Sequence, residues 1–335
     1  MNRYILVFCV LLCSCGKNKT AESFFGKEHK LYGETLSIDC LIGKPAEIVC
    51  IDSLIIFYDF YEGQAITVLD VNNNRLLSVG QGPEDIILPL KLSVSGTGNR
   101  LNVFQMQNAR CYEYEIKDIV DTLQTHISRK YQFEDRPANI AATSSGFVGI
   151  GIYEEGRYKL YDENGKTTGN MGKYPFRGEK MDPVERFFIY QGALRSSPNG
   201  NHFVMGTHYC DNLEFYTVKK DAVSLTKKYE TYDVKGRYAQ RIILDDDCVM
   251  SYKGVYGTDQ YCYMLYSGER YGERNVRTTG GKKIIVFDWN GVYIKTFEVD
   301  TTVFSFCVDK TDSVLFGITY DENEGFLITR YDIKS

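Results

Sequence analysis

Few of the residues that usually carry enzyme chemistry are present in this sequence. Only four histidines and one tryptophan occur in 335 residues. The sequence lacks the motifs of serine hydrolases (G-x-S-x-G), nucleotide-binding P-loops, zinc proteases (H-E-x-x-H) and dinucleotide-binding folds. We therefore predict no catalytic residue, no metal ligand and no cofactor.

Long apolar runs and an excess of basic residues are missing as well. After the first 14 residues, no run approaches the ~20 apolar residues that a membrane-spanning helix needs. The chain carries 39 Lys and Arg against 44 Asp and Glu, a net charge of −5. A general nucleic-acid binder needs a basic surface that displaces counterions, so we expect no nucleic-acid partner.

Cysteine is present but is not arranged as a disulfide or metal framework. Three of the ten cysteines lie within the first 15 residues, and the other seven form no C-x-x-C pair. Those seven are Cys40, Cys50, Cys111, Cys210, Cys248, Cys262 and Cys307. Because most of them have apolar or aromatic neighbours, we interpret them as buried small hydrophobes. Cys40 and Cys50 flank residues 41–49 and could cross-link adjacent strands in an oxidising compartment, which the sequence leaves open.

The N-terminus has the pattern of an export signal. Arg3 precedes an apolar stretch over residues 4–12, which ends in Leu12-Cys13-Ser14-Cys15. A large apolar residue three places before a cysteine resembles the bacterial lipobox. The resemblance implies a signal peptide over residues 1–14, lipidation of Cys15 and a polar tether over residues 15–29. An ordinary secretory signal cleaved near Ser14 is the alternative.

The tether also bears on location. Clustered acidic residues after the lipidated cysteine resemble a surface-export cue in such lipoproteins, but Lys17-Asn18-Lys19 stands there instead. We expect a cell-envelope protein on the outer membrane, facing the periplasm rather than the surface. Membrane contact is expected through the lipid anchor alone.

A repeated hairpin organises the remaining chain. Residues 282–300 hold two short apolar and aromatic runs separated by Asp288-Trp289-Asn290-Gly291, and Asn-Gly predicts a type I′ turn. Weaker copies occupy residues 65–80, 157–172 and 213–230. No window keeps a helical period, although residues 182–190 could form one turn with Pro183 at its first position. The sequence therefore predicts an all-β fold.

The repeats predict the architecture. Six units of about 40 to 55 residues follow one another, which is the length of a four-stranded propeller blade. They begin near residues 47, 90, 139, 192, 254 and 303, and the second unit is expected to end in the strands of residues 111–127. The sixth unit is one strand short, whereas residues 33–39 supply one strand too many. We therefore predict a six-bladed β-propeller over residues 30–335, with its last blade closed by the N-terminal strand.

One connector carries a resemblance to a known family. Residues 79–85 (VGQGPED) directly follow a predicted hairpin, and residues 171–175 (MGKYP) are a degraded second copy. This connector is similar to the one in TolB-like six-bladed propeller lipoproteins of Bacteroidetes. Physically, the glycines supply unusual backbone angles where the chain crosses to the next blade. The resemblance implies a binding or scaffold protein, although related six-bladed folds include lactonases and lyases.

An aromatic and basic stretch over residues 252–277 is the best candidate for ligand binding. Tyrosine and arginine dominate interface hot spots, and tyrosine also stacks on sugars and peptides. The candidate ligand-binding residues are Tyr256, Tyr266, Arg270, Tyr271, Arg274 and Arg277. The alternative is that the first part of this stretch is a buried strand and only residues 267–280 form a loop.

Two other clusters favour plain structural interpretations. Asp245-Asp246-Asp247 lacks the spacing of a calcium loop, so a solvated turn is favoured. His202, His208 and Cys210 share strand parity, but Gly206 interrupts them, and a metal site there is disfavoured.

Taken together, the sequence predicts a monomeric, non-enzymatic lipoprotein propeller that binds or scaffolds a peptide, protein or glycan. The alternative is a metal-dependent hydrolase or lyase, lactonase-like, with its site in the central channel. That alternative requires acidic side chains pointing into the channel from several blades.

Overall fold

Short antiparallel strands account for most of the described chain, in keeping with its β-branched and aromatic runs. The computed structural model describes residues 26, 28–38, 42–43, 45–59, 66–73, 75–79, 90–96, 99–117, 127–220, 222–273 and 280–334. These residues form six sheets of four or five strands and one two-stranded hairpin. Neighbouring sheets touch through their first strands in a closed circle, so the fold is the predicted six-bladed propeller.

The first three blades are four-stranded meanders. Blade 1 contains β3 (Pro45–Ile51), β4 (Leu54–Asp59), β5 (Ile66–Asp70) and β6 (Arg75–Val79). Blade 2 contains β7 (Leu90–Ser95), β8 (Arg100–Gln105), β9 (Arg110–Glu115) and β10 (Ile127–Gln132). Blade 3 contains β11 (Asn139–Thr143), β12 (Gly146–Ile150), β13 (Tyr158–Tyr161) and β14 (Thr167–Met171).

The last three blades follow the same plan. Blade 4 contains β15 (Gly192–Ser196), β16 (His202–Thr207), β17 (Asn212–Lys219) and β18 (Ala222–Glu230). Blade 5 contains β21 (Tyr252–Gly257), β22 (Tyr261–Tyr266), β23 (Gly281–Asp288) and β24 (Tyr293–Val303). Blade 6 contains β25 (Ser305–Val308), β26 (Val314–Asp321) and β27 (Gly325–Asp332).

The N-terminal segment closes the ring across two blades. β2 (Glu34–Thr35) pairs antiparallel with β27, and the Leu36 N–H continues the pairing to the Ile328 carbonyl at 2.9 Å. This confirms the predicted closure of the last blade, with a shorter strand than residues 33–39. β1 (Glu28–Leu31) adds a parallel fifth strand to blade 5 beside β24, which was not predicted, and it takes in the last two residues of the segment assigned to the tether.

A cap stands beside blade 4. Helix α1 (Pro183–Ile189) begins at Asp182, whose carboxylate accepts the N–H groups of Val184 and Glu185 at 2.9 Å each, so the predicted helical turn is confirmed. A 3₁₀ turn (Gly178–Lys180) precedes it, and a second (Tyr271–Glu273) follows β22. The hairpin β19 (Gly236–Tyr238) and β20 (Ile242–Leu244) packs on α1, with the Phe188 ring stacked on Tyr238 at 5.1 Å. Among the described residues, no helix is long and apolar enough to cross a membrane.

Two local predictions were wrong. The 288–291 turn is not type I′, because only Gly291 of the Asn-Gly pair has a positive φ, of 75°. The Asp288 carboxylate accepts the N–H groups of Asn290 and Val292 at 2.9 and 2.8 Å, which stabilises a different loop. In blade 2, the outer strand was expected to end near residue 127, whereas β10 begins there.

Candidate functional site

The central channel opens into a cavity at one end of the ring. The first strands of all six blades run in the same direction, and the cavity lies where these strands begin. Its volume is about 530 Å³, which falls in the range of small-ligand pockets. Its lining includes residues 45–48, 91–93, 192–195 and 253–255 from blades 1, 2, 4 and 5. We call this end of the channel the mouth.

An ionic cluster crosses the mouth. Glu47 of β3 pairs with the ammonium of Lys91 on β7, and its other carboxylate oxygen lies 3.8 Å from Nη2 of Arg195 on β15. The Glu47 side chain is 20% exposed and that of Arg195 is 14% exposed, so water screens the pair of Glu47 and Arg195 less than a surface pair. Glu47 is the one carboxylate among the lining residues that the structure describes.

Arg195 braces the ring from inside. Its Nη1 donates to the Leu92 carbonyl of blade 2 at 2.5 Å, and its Nε donates to the Val255 carbonyl of blade 5 at 3.3 Å. Together with Glu47, one guanidinium therefore connects blade 4 to blades 1, 2 and 5. Planar arginine suits this role because its donors form a rigid fork.

A neutral histidine stands at the mouth. His208 follows β16, and its Nδ1 lies 2.6 Å from the Tyr252 carbonyl, which fixes Nδ1 as the donor. Burial, together with the smaller effects of the Lys253 and Lys91 charges, lowers the pKa of His208 to about 4, although the hydrogen bond to the Tyr252 carbonyl opposes the shift. His208 is therefore uncharged at neutral pH, with Nε2 as an acceptor.

Aromatic side chains cover the remaining walls. Phe304, Phe306 and Phe326 line the cavity at blade 6, and Phe104 and Phe147 line it at blades 2 and 3. Tyr58 also lines it, and burial together with the Glu47 charge raises the pKa of that phenol, so it stays protonated. The mouth therefore combines cations from blades 2, 4 and 5 with aromatic walls at blades 2, 3 and 6.

The predicted ligand-binding residues divide into three groups. Tyr256 and Tyr266 are 5% and 2% exposed, so these two side chains belong to the core rather than to a binding surface. The Tyr256 hydroxyl donates to the Cys50 carbonyl at 3.1 Å and accepts the Cys50 N–H at 3.2 Å, connecting blade 5 to blade 1. The buried-strand alternative for the first part of the stretch is what the structure shows, as β21 and β22.

The second group lies at the surface. Arg270 and Tyr271 are exposed and pack their backbones on the segment 245–250, where the Tyr271 N–H donates to the Cys248 carbonyl at 2.8 Å. Their loop joins β22 to β23 on the same face of the ring as the mouth. Ligand binding by these two residues stays a prediction. Arg274 and Arg277 form the third group and lie outside the described residues.

The disfavoured metal sites do not come together. His202 begins β16 and His208 follows its end, so they stand at opposite faces of the ring, and His202 stacks on Trp289 at 6.1 Å. Asp247 pairs with Lys235 at the exposed surface. Across the ranges given above, no three His, Cys, Asp or Glu side chains cluster as metal ligands. Cys15, Cys40 and the connector 80–85 lie outside those ranges, whereas Cys50 is a free, buried thiol.

Sequence reasoning missed the residues of the mouth. Glu47, Lys91, Arg195 and Lys253 are single charges within four of the six short first strands, and no local motif joins them. One signal in the sequence could have found them: each of these four strands has a buried pattern that a single charged residue interrupts. Only the ring brings them together.

Comparisons with known proteins agree with this architecture. A family model described as TolB-like 6-blade propeller-like matches residues 24–311. The chain is similar in structure to a Bacteroides fragilis protein described as exported, with TM-score 0.55, 11% identity and coverage of 91% of this chain and 95% of that one. It is similar to a member of the duf4221 family from Bacteroides vulgatus, with TM-score 0.55, 13% identity and coverage of 92% and 98%.

A third similar structure is regucalcin, a calcium-binding protein from Agrobacterium tumefaciens, with TM-score 0.51, 11% identity and coverage of 92% and 97%. At these identities the likeness shows the fold alone. No curated protein matches the chain in sequence.

Proposed function

This chain belongs to the TolB-like 6-blade propeller-like family, and we propose that it is a non-enzymatic binding module of the cell envelope. Its partner is a peptide, protein or glycan, part of which enters the mouth of the central channel. The single observation that carries this proposal is the cavity of about 530 Å³ formed by the first strands of the ring. Such a cavity with few, fixed polar groups is the usual form of a binding site.

The charges of the mouth favour binding over metal-dependent hydrolysis. A lactonase-like site needs several acidic oxygens around one cation. In the described part of the lining, Glu47 supplies the only carboxylate, and two cationic side chains already neutralise it. The charges of the mouth therefore support a binding module and give no support to the hydrolase or lyase alternative.

The proposed location rests on the N-terminal motif. Lipidation at Cys15 would attach the propeller to the outer membrane, on the periplasmic side. The similar Bacteroides fragilis protein is described as exported, which supports a place outside the cytoplasm. We propose a monomer in which the face with the mouth, Arg270, Tyr271 and the α1 cap meets the partner.

Peptide and glycan arrays probed with the purified full-length protein test this function. The matched variants are Ser93→Trp, which fills the mouth from β7, and Lys310→Trp, which places the same ring on the turn at the opposite face. We expect one ligand class to bind the wild type and Lys310→Trp, and to bind Ser93→Trp at least tenfold more weakly. Equal binding by all three proteins would remove the mouth as the site, and chemical conversion of a bound ligand would show an enzyme.

A further inference from the structure

The charge at the mouth indicates what kind of group enters it. The described lining carries the cations Lys91, Arg195 and Lys253 against the single carboxylate of Glu47, so positive charge is in excess by two. His208 adds no charge at neutral pH because its pKa is low. A concave site lined with one sign of charge concentrates the field and attracts ligands of the opposite sign.

The three cations have different roles. Arg195 already donates to two backbone carbonyls and faces Glu47, so it is a brace whose position is fixed. Lys91 shares Glu47 with Arg195 and is 48% exposed, so its ammonium can also reach a ligand. Lys253 comes from blade 5, which stands opposite blade 2 in a ring of six, and its ammonium lies 5.7 Å from the centre of the Tyr209 ring.

The two lysines therefore approach the cavity from opposite sides. Both charges act on His208, which places that imidazole within the field of each. An anion between them would meet two ammonium groups, whereas Nε2 of His208 is an acceptor and could bond only to an O–H or N–H group on the body of the ligand. A lysine is a mobile point charge, so this arrangement suits an anion of variable shape better than one fixed planar partner.

The apolar wall at blade 6 restricts the chemical class of the ligand further. Phe304, Phe306 and Phe326 face the same space from blade 6, and Val255 continues this wall from blade 5. A fully hydrated inorganic ion gains nothing from such a wall, whereas an organic body buries apolar surface against it. A cavity of about 530 Å³ has room for a molecule with an aromatic-sized body.

We propose that the mouth binds an organic anion, with Lys91 and Lys253 as its charge partners and the blade 6 phenylalanines against its apolar body. This inference rests on the proposed function, because it names the chemical group by which a partner enters the channel. The carboxylate of an acid and the phosphate of an ester present the same charge, and the experiment separates them.

Ligand-observed NMR titration of the full-length protein in detergent micelles tests the inference with three probes. These are 2-naphthoate, its uncharged analogue 2-naphthamide, and 2-naphthyl phosphate. We expect each anion to bind at least tenfold more tightly than the amide, and the tighter anion identifies the preferred group. Equal affinity of naphthoate and naphthamide, or no binding of either anion, would overturn the inference.

Variants of the two lysines test which ammonium group binds the anion. Lys91→Met and Lys253→Met should each weaken anion binding by about three- to tenfold while leaving 2-naphthamide binding unchanged, because each removes one charge and keeps the apolar stem. Lys310→Met, on the opposite face, should bind like the wild type. Lys91→Arg and Lys253→Arg keep the charge and should retain binding, which separates a charge effect from misfolding. Anion binding that is unchanged in both methionine variants would contradict the assignment.

The Ser93→Trp variant separates this inference from the proposed function. Equal binding of acid and amide that disappears in Ser93→Trp would refute the preference for anions and keep the mouth as the binding site. Probe binding that persists in Ser93→Trp would count against both.

Discussion

A buried ion pair between blades 3 and 4 shows how single residues hold this ring together. Arg157 is 1% exposed, and its guanidinium contacts the Glu214 carboxylate at 3.0 Å, Asn212 Oδ1 at 2.7 Å and Thr207 Oγ1 at 3.1 Å. The Tyr158 hydroxyl donates to the other oxygen of Glu214 at 2.6 Å. Each buried charge is therefore paired and hydrogen-bonded, as burial requires.

Replacing Arg157 by Met should destabilise the protein by about 3 kcal/mol, because Glu214 would remain buried with only the Lys228 ammonium, 3.8 Å from its Oε1, as a cation. The double variant Arg157→Met/Glu214→Gln should recover part of that loss. Urea denaturation measures the free energy of unfolding. Arg330→Met, which breaks exposed pairs with Glu34 and Asp332, is the control and should change stability by less than about 1 kcal/mol. A single Arg157→Met variant as stable as that control would contradict this role.

His208 makes stability depend on pH in a defined window. Its pKa is about 4 in the fold against 6.5 for an ordinary histidine, so between these values the unfolded chain binds more protons than the native protein. Stability should therefore fall as the pH drops from about 6.5 towards 4, with a contribution of about 1 to 3 kcal/mol from this residue. Burial is the main cause, and Lys253 and Lys91 add to it.

The variant His208→Asn tests this pH dependence. Asparagine can donate to the Tyr252 carbonyl in place of Nδ1 but does not titrate. Thermal melts from pH 7 to pH 4 should show a smaller loss of stability in the variant than in the wild type. Parallel curves for the two proteins would contradict the assignment.

Sequence reasoning at the residue scale succeeded for side chains whose partners are local. Pro183 was predicted at the first position of a short helical turn, and α1 begins there. Sequence reasoning failed where the partners are distant. The Tyr256 hydroxyl, for example, donates to the carbonyl of Cys50, which lies 206 positions earlier in the chain. A tyrosine that caps a backbone in the core and one that meets a ligand look alike in sequence.

At the scale of elements, the N-terminal strands act as a belt across blades 5 and 6. Lys283 of blade 5 pairs with Glu28 of β1 at 2.8 Å. Next along the chain, the Gly33 N–H points at the Asp300 carboxylate, 3.2 Å from Oδ2. A Cβ at Gly33 would lie 2.3 Å from Thr329 Cγ2, so the close crossing to blade 6 requires glycine. β2 then fills the outer position of blade 6.

Deleting residues 30–40 should abolish cooperative unfolding. The deletion removes β2 and shortens β1, so blade 6 loses its fourth strand and the ring loses its closure. Calorimetry or a melt followed by circular dichroism measures the effect, and deletion of residues 16–23 from the predicted tether is the control. A melting curve unchanged by the 30–40 deletion would contradict the closure.

The hairpin pattern predicted most strands, because each blade is built from consecutive strands along whose length apolar side chains recur with a period of two. It missed the parallel pairing of β1 because a four-residue strand with no hairpin carries no register signal. The outer strand β10 was misplaced for a similar reason, since its sequence ISRKYQ is mostly polar and exposed. Outer strands of a propeller face water, so their apolar signal is weak.

At the scale of the whole molecule, the length of the repeats predicted the architecture but not the position of the binding site. Six units of blade length predicted the blade number, and the spare strand before the first unit with the missing strand in the last predicted the closure. The position of the binding site depends on which end of the channel is wider and on charged residues from four blades. No single stretch of the sequence contains either kind of information. The location of the protein depends on lipidation of Cys15, which cannot be inferred from the fold.

The variant Cys15→Ser tests the anchor. Without the thiol no lipid can attach, so the protein should move from the membrane fraction to the soluble fraction and lose incorporation of labelled fatty acid. Cys13→Ser, two residues before the predicted cleavage site, should leave both properties unchanged. Membrane association that survives Cys15→Ser would contradict lipidation at that residue.

The most direct test of binding at the mouth is photo-crosslinking in living cells of the native host. A benzophenone amino acid is placed at Ser305, in the lining of the mouth, and in a second strain at Lys310, on the turn at the opposite face. If the mouth holds the partner, irradiation should give covalent adducts of the Ser305 variant and none of the Lys310 variant. Adducts formed only at Lys310, or equally at both positions, would contradict a binding site at the mouth of the channel.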